Sequence, residues 1–305
     1  EEEQEEEEEE EEEEMKEEKA AVVEEKPTAE ERLGEEKLEC EKISFLHDLV
    51  GKDGVKVISL DRTPERFQKT AEQLAKGGIL ATRFRATDAT LASSEQLRPG
   101  CIGKSSPDLG KCAPSWGCLY RSEQAIADSH RRVLEEAKLR KENWTAILED
   151  DMALLQPDRW DAAFKAAWLK LQEVAPYARL VRLSWCTIVE SEKDPTENFA
   201  EAGDFTLTRS SFGLCTGAYM VHRDMASEML SLFPCCGPVD TCYSVWFNQQ
   251  DEDGATRSSK FMVSMQSKDS RQKITDVADE GWLGQHGVFY QDCHNIKTTK
   301  DLSLA

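Results

Sequence analysis

From about residue 54 onward, short apolar runs alternate with segments whose apolar positions recur every three to four residues. These are the two periods of strand and helix. Residues 55–60 (VKVISL) read as a short strand. Thr63 then offers an N-cap, Pro64 the first helical position and Glu65 an acid in the first turn. Phe67, Ala71 and Leu74 share one helical face, and Gly77-Gly78 ends the helix. Residues 82–86 (TRFRA) form the next strand, completing a unit of the length that a right-handed crossover needs.

Residues 90–118 are rich in Ser, Pro, Gly and Cys and read as a long loop. A helix follows, ending near Lys141, with Ile126, His130, Val133 and Ala137 on one face. The run 145–155 (TAILEDDMALL) is an apolar strand interrupted by three acids. Trp160, Phe164, Trp168 and Leu171 mark another amphipathic helix, and residues 178–185 another strand. Residues 216–222 read as a strand, Asp224 as the start of a helix through Met225 and Met229, and residues 261–265 as a last strand. Beyond Gln266 the chain is polar and weakly patterned, as expected of a segment that wraps the surface. The pattern predicts an α/β fold with a mostly parallel central sheet flanked by helices.

Charge divides the chain more sharply than hydropathy does. The net charge is −22, but residues 1–42 hold 23 Glu against 6 Lys or Arg, and the remaining 263 residues are nearly balanced. A tail of that composition cannot bury enough apolar surface to offset the entropy of ordering, so disorder is expected there. It is a solvated low-complexity extension or, on the alternative reading, an acidic arm for basic partners. The expected organisation is a tail over 1–42, a linker over 43–53, a domain over 54–268 and a surface extension over 269–305. No run of about 18 apolar residues predicts a transmembrane segment, and the polyglutamate start has no signal-peptide pattern. No nucleic-acid partner is expected.

Ten cysteines leave disulfides and packed thiols both open. Cys235, Cys236 and Cys242 lack zinc-ligand spacing, and Cys118 reads as packing. Asn143-Trp144-Thr145 is a glycosylation sequon, meaningful only in a chain that enters the secretory pathway.

Glu149-Asp150-Asp151 is the candidate chemistry. Thr145 to Leu148 form a buried type of strand, and a sheet interior would not tolerate three carboxylates. The acids therefore belong at the strand's carboxyl end, where open α/β sheets place their ligand crevices. Strand alternation would send Glu149 and Asp151 to one side and Asp150 to the other. Two carboxylates converging there suit a hard divalent ion with positions left for a diphosphate. A solvated acidic turn is the plainer alternative.

The segment VISLDRTPERFQKTAEQLAKGGILATRFRATDA resembles the opening of glycosyltransferase family 25, which includes bacterial lipooligosaccharide galactosyltransferases and collagen β-galactosyltransferases. The positions that carry the likeness are Leu60, Asp61, Arg62, Glu65, Arg66, Ala86 and Asp88. Gly117-Cys118, Ser129-His130 and the acidic triplet follow in the family's order, with 20 residues from Ser129 to Glu149. Thr216-Gly217-Ala218-Tyr219, the run Arg223 to Ala226 and Pro238-Val239-Asp240 are similar to its later elements. Ten residues separate Cys118 from Ser129, where the family has two.

The resemblance implies a GT-A fold and metal-dependent transfer of a hexose, galactose foremost, from a UDP-sugar to a hydroxyl on a glycan, protein or lipid-linked sugar, with inversion. It implies Mn²⁺ or another divalent cation on Glu149 and Asp151. It places Leu60, Asp61, Arg62, Arg66, Asp88 and Asp150 at the donor, and Ser129 and His130 behind the site. Asp240 is implied as the base that deprotonates the acceptor, although by position it could be a helix N-cap. Asp88 could equally form an Asx-turn. A catalytically degenerate member that serves as an adhesion or scaffold protein is the alternative.

Overall fold

The computed structural model describes residues 43–93, 97, 121–188, 197–209, 214–235, 238–268, 283–287 and 289–291. The acidic tail, most of the expected loop over 90–118, Gly117-Cys118 and Cys236 lie outside the described residues. In chain order the elements are α1 (Leu46–Val50), β1 (Val55–Ser59), α2 (Pro64–Ala75), β2 (Thr82–Arg85), α3 (Arg121–Leu139), β3 (Trp144–Glu149) and β4 (Met152–Leu154). They continue with α4 (Trp160–Val174), β5 (Leu180–Ile188), β6 (Glu197–Ala202), β7 (Phe205–Arg209), β8 (Leu214–His222) and α5 (Arg223–Met229). Last come α6 (Val239–Asn248), α7 (Arg257–Phe261), β9 (Met262–Ser267), β10 (Leu283–Gly287) and β11 (Phe289–Gln291).

The central sheet runs β2-β1-β3-β8-β5-β9-β7-β6, and β10 also pairs with β5. It is an α/β fold with helices on both faces, as the sequence predicts, but the sheet is mixed. β1 is parallel to both β2 and β3, and β5 is parallel to β9. The pairings β3–β8, β5–β8, β5–β10, β6–β7 and β7–β9 are antiparallel. The β6–β7 hairpin, closed at Gly203 with φ +62°, supplies part of that antiparallel share.

Strand alternation sorts the core into two layers. Val55, Val57, Ala146, Leu148, Val181 and Met220 face Leu74 of α2 and the aromatic stripe Trp160, Phe164 and Trp168 of α4. Ile58, Ile147, Leu180, Tyr219 and Val221 face α3, α5 and α6. On α3 the buried stripe is Ala127, His130, Leu134 and Ala137, whereas Ile126 lies one position off it and is 43 % exposed. The helix starts also differ from their reading. Thr63 precedes α2 but its hydroxyl makes no capping bond. The ring of His222, not Asp224, caps α5 by accepting from the Asp224 amide at 3.3 Å.

Two expected boundaries move. Residues 43–53 were expected as a linker, yet Leu46 and Val50 of α1 are fully buried in the core. Beyond residue 268 a surface wrap was expected; instead β10 pairs with β5 and β11 with β4. Phe289 is 1 % exposed, with its ring 5.2 Å from that of Trp160. The sequence masked this because each insertion is too short to show a period. No helix among the described residues is long and apolar enough to cross a membrane.

Phe289→Ala should therefore destabilise the domain by about 3–5 kcal/mol, the range for a buried aromatic. Urea unfolding measures it; a change within about 0.5 kcal/mol, normal for a surface position, would return the segment to the surface.

Candidate active site

Because β1, β2 and β3 are mutually parallel, their carboxyl ends share one edge of the sheet. β8 runs antiparallel to β3, so its amino end, Cys215 and Thr216, reaches the same edge. The register pairs Ile58 with Glu149 and Leu148 with Ala218. Close approach is needed here: a Cβ on Gly217 would lie 2.6 Å from the terminal methyl of Met152.

The acidic triplet straddles a strand end and a turn. Glu149 is the last residue of β3, and the chain turns at Asp150 and Asp151 before β4. The alternation expected of a continuous strand stops there. Asp150 and Asp151 both meet the Arg66 guanidinium of α2, at 2.6 and 3.6 Å. Thr70, one helical turn on, donates to the Asp150 carbonyl at 2.7 Å. Asp150 and Asp151 are buried, not solvent-open.

Glu149 takes different partners. Its Oε1 accepts from the Thr216 hydroxyl at 2.8 Å and lies 3.5 Å from His130 Nε2. His130 Nδ1 is 3.0 Å from the Tyr219 hydroxyl, and the two rings stack. Register shifts where β8 pairs with β5 let Thr216 and Tyr219, three residues apart, both reach His130.

Environment separates Glu149 and Asp150 electrostatically. Burial alone would raise Glu149, but His130, Thr216 and Arg66 outweigh it and hold its carboxyl below the ordinary range. At Asp150 burial prevails over the attraction of Arg66, and its carboxyl is pushed up. Burial also raises the Tyr219 phenol, which stays protonated.

The residues expected at the donor occupy two adjoining loops. Asp61 is held by Arg83 at 3.0 Å and by Arg85 Nε at 2.6 Å, both from β2, and Arg83 also donates to the Leu60 carbonyl at 2.7 Å. Arg62 Nε lies 2.9 Å from Asp88 Oδ2. Asp88 Oδ1 accepts from the Thr90 amide at 2.8 Å, which makes the Asx-turn. Burial opposes ionisation of Asp88, but Thr90 and Arg62 prevail and lower it. Ser129 is a brace for this loop: its hydroxyl accepts from the Thr87 amide at 2.8 Å and donates to the Ala125 carbonyl at 2.7 Å. Arg66, expected at the donor, is buried against Asp150 and Asp151.

Asp240 is not the N-cap of α6, which is Pro238; it lies in the first turn. Its Oδ2 accepts from the Cys215 amide at 3.1 Å, and its Oδ1 from the Thr241 amide at 2.7 Å. Cys215 is disulfide-bonded and adopts φ +65°, a backbone region unusual for a side-chain-bearing residue. Since Thr216 follows Cys215, Asp240 and Glu149 are tied to neighbouring residues of β8.

Sequence reasoning did not assign roles to Thr216, Tyr219, Cys215 or Thr87. The run Thr216 to Tyr219 was visible as a motif, but its contacts to His130 and Glu149 cross 86 and 67 positions. Such pairings leave no local signal.

Two solved structures share a loose likeness. One is a glycosyltransferase involved in the glycosylation of the major capsid of PBCV-1, at 12 % identity and TM-score 0.33, covering 69 % of this chain and 79 % of that one. The other is CMP:2-keto-3-deoxy-manno-octonic acid synthetase complexed with CTP, at 12 % identity and TM-score 0.30, covering 64 % and 83 %. At those TM-scores neither carries an argument about this chain. No protein of curated function matches. The model of glycosyltransferase family 25 (LPS biosynthesis protein) matches residues 53–243, from the turn before β1 into α6, and so spans all of the site just described. That match covers more than half of the chain, and the protein belongs to glycosyltransferase family 25.

Proposed function

We propose that the protein transfers a hexose, galactose foremost, from a UDP-sugar to a hydroxyl on a glycan, protein or lipid-linked sugar, with inversion and with a divalent cation such as Mn²⁺. One observation carries the reading. The carboxyl ends of three parallel strands and the amino end of β8 gather Glu149, Asp150, Asp151 and Asp240 at one sheet edge, joined through Thr216 and Cys215.

The donor set fits a hard cation in part. Among the described residues no three His, Cys, Asp or Glu form a ready cage. Asp150 and Asp151 nevertheless stand side by side in one buried turn, both against the Arg66 guanidinium. Ions of the Mg²⁺ type need only one or two carboxylates when substrate phosphates complete the shell. Asp151, with Asp150 beside it, would hold the ion, while Glu149 braces the strand end through Thr216 and His130. When bound, the cation neutralises charge on the departing diphosphate.

The chain's own groups do the rest. The loops carrying Asp61, Arg62 and Asp88 border the nucleotide. Asp240 accepts the proton of the acceptor hydroxyl as its oxygen bonds to the anomeric carbon and the bond to diphosphate breaks. Asp240 Oδ1 accepts from both the amide and the hydroxyl of Thr241, whereas Oδ2 accepts from the Cys215 amide and keeps a second lone pair for that proton.

A thermal-shift screen of UDP-sugars with and without Mn²⁺ tests the donor, since a ligand that binds only the folded state raises its stability by about 2.7 kcal/mol at 100 times its Kd. Metal-dependent stabilisation by UDP-galactose is expected; no stabilisation by any UDP-sugar would favour the scaffold reading.

Asp151→Asn should lower transfer by roughly 100-fold or more, the scale of losing a cation's charge stabilisation worth several kcal/mol. Far-ultraviolet circular dichroism should remain that of the wild type. Unaltered rates at limiting metal would take Asp151 out of the site.

Asp240→Asn should reduce kcat by about 10²- to 10⁴-fold, as removal of a general base does, while donor affinity stays unchanged. Transfer within threefold of wild type (roughly 0.6 kcal/mol) would leave Asp240 only its bond to Cys215.

A further inference from the structure

Outside the active site, one motif singled out in the sequence keeps its chemistry on the surface. Asn143-Trp144-Thr145 is the chain's one Asn-x-Ser/Thr sequon. Asn143 is exposed and sits in the bend that leads into β3. Its carbonyl accepts from the Arg223 amide at 2.8 Å, which fixes the backbone of this exposed residue. Because β3 runs from Trp144 to Glu149, Asn143 lies at the end of the strand opposite the acidic triplet. A large substituent there would project away from the edge that gathers Asp150, Asp151 and Asp240.

A second observation is independent of the motif. Cys215 is disulfide-bonded, and structural disulfides belong to oxidising compartments. Those compartments are also where oligosaccharide is transferred to asparagine.

We propose that Asn143 is an N-glycosylation site and that the chain is modified in an oxidising lumen before β3 folds. In the reaction, Asn143 Nδ2 bonds to the anomeric carbon of a lipid-diphosphate-linked oligosaccharide, the bond from that carbon to the diphosphate breaks, and the amide loses one proton. The order follows from geometry. A transferase must grasp the sequon's Thr as well as its Asn, yet folded Thr145 is 2 % exposed and paired with Val221 of β8. The folded protein therefore cannot present the sequon, whereas the extended chain can.

The test expresses the full chain behind a cleavable secretory leader in a eukaryotic host. Wild-type protein should show a mobility shift that peptide N-glycosidase removes, and Asn143→Gln should lack it. Thr145→Ser, which keeps the sequon, should retain the shift, so that a folding defect is told apart from loss of the site. In a cell-free assay, oligosaccharyltransferase should modify the denatured chain and leave the folded, unmodified chain untouched. A secreted wild-type protein without the shift would overturn the site, and modification of the folded chain would overturn the order. Neither outcome bears on sugar transfer by the protein itself, because Asn143→Gln lies outside the active-site edge and should keep wild-type kcat/KM.

Discussion

Burying carboxylates at a sheet edge needs a compensating cation, and here one guanidinium serves two of them. Arg66 lies in the first turns of α2, the helix that returns from β1 to β2, and its contacts with Asp150 and Asp151 fasten that helix to the end of β3. An isolated buried carboxylate would simply take up a proton. The shared pair keeps negative charge where the strand ends, and Thr70 seals the turn by bonding the Asp150 carbonyl. Removing one partner from such a cluster costs about 3–5 kcal/mol, because a charge is then stranded in the interior. The turn at Asp150 and Asp151 is thus a product of packing as much as of chain direction.

Around that turn the sheet does two jobs. Parallel pairing of β1 with β2 and β3 brings three strand ends to one edge, and antiparallel β8 delivers Cys215 and Thr216 to it. Behind the edge, α3 contributes His130, which meets Glu149 and Tyr219, and Ser129, which holds the loop leading to Asp88. The aromatic stripe of α4 and Phe289 of β11 fill the opposite layer. Membership of glycosyltransferase family 25 and the geometry of this edge support each other: the family model runs over all the strands that build it.

The three adjacent acids illustrate why composition is a poor guide to charge. They are identical in formal charge, yet Glu149 is held low by His130 and Thr216 whereas burial pushes Asp150 up. The mixed sheet has a similar lesson. Its parallel part was readable from the strand–helix–strand opening, whereas the antiparallel pairings of the β6–β7 hairpin and of the returning β10 join short segments whose direction no local spacing fixes.

By itself, the sequence determined the α/β class, the strand β3 and the placing of the acids at its carboxyl end, because each depends on local spacing and on the cost of burying charge. It also determined the α4 stripe, whose 3.6-residue period is carried by large aromatics. Tertiary structure alone decided that Arg66 pairs with the triplet, that Glu149 turns to Thr216 and His130, and that Asp240 leans on Cys215 instead of capping α6. It also drew residues 283–291 into the sheets. The physical reason is the same throughout. A period along the chain reports which face of an element is buried, while the partner that satisfies a buried charge comes from tens of residues away and is chosen only when the elements pack.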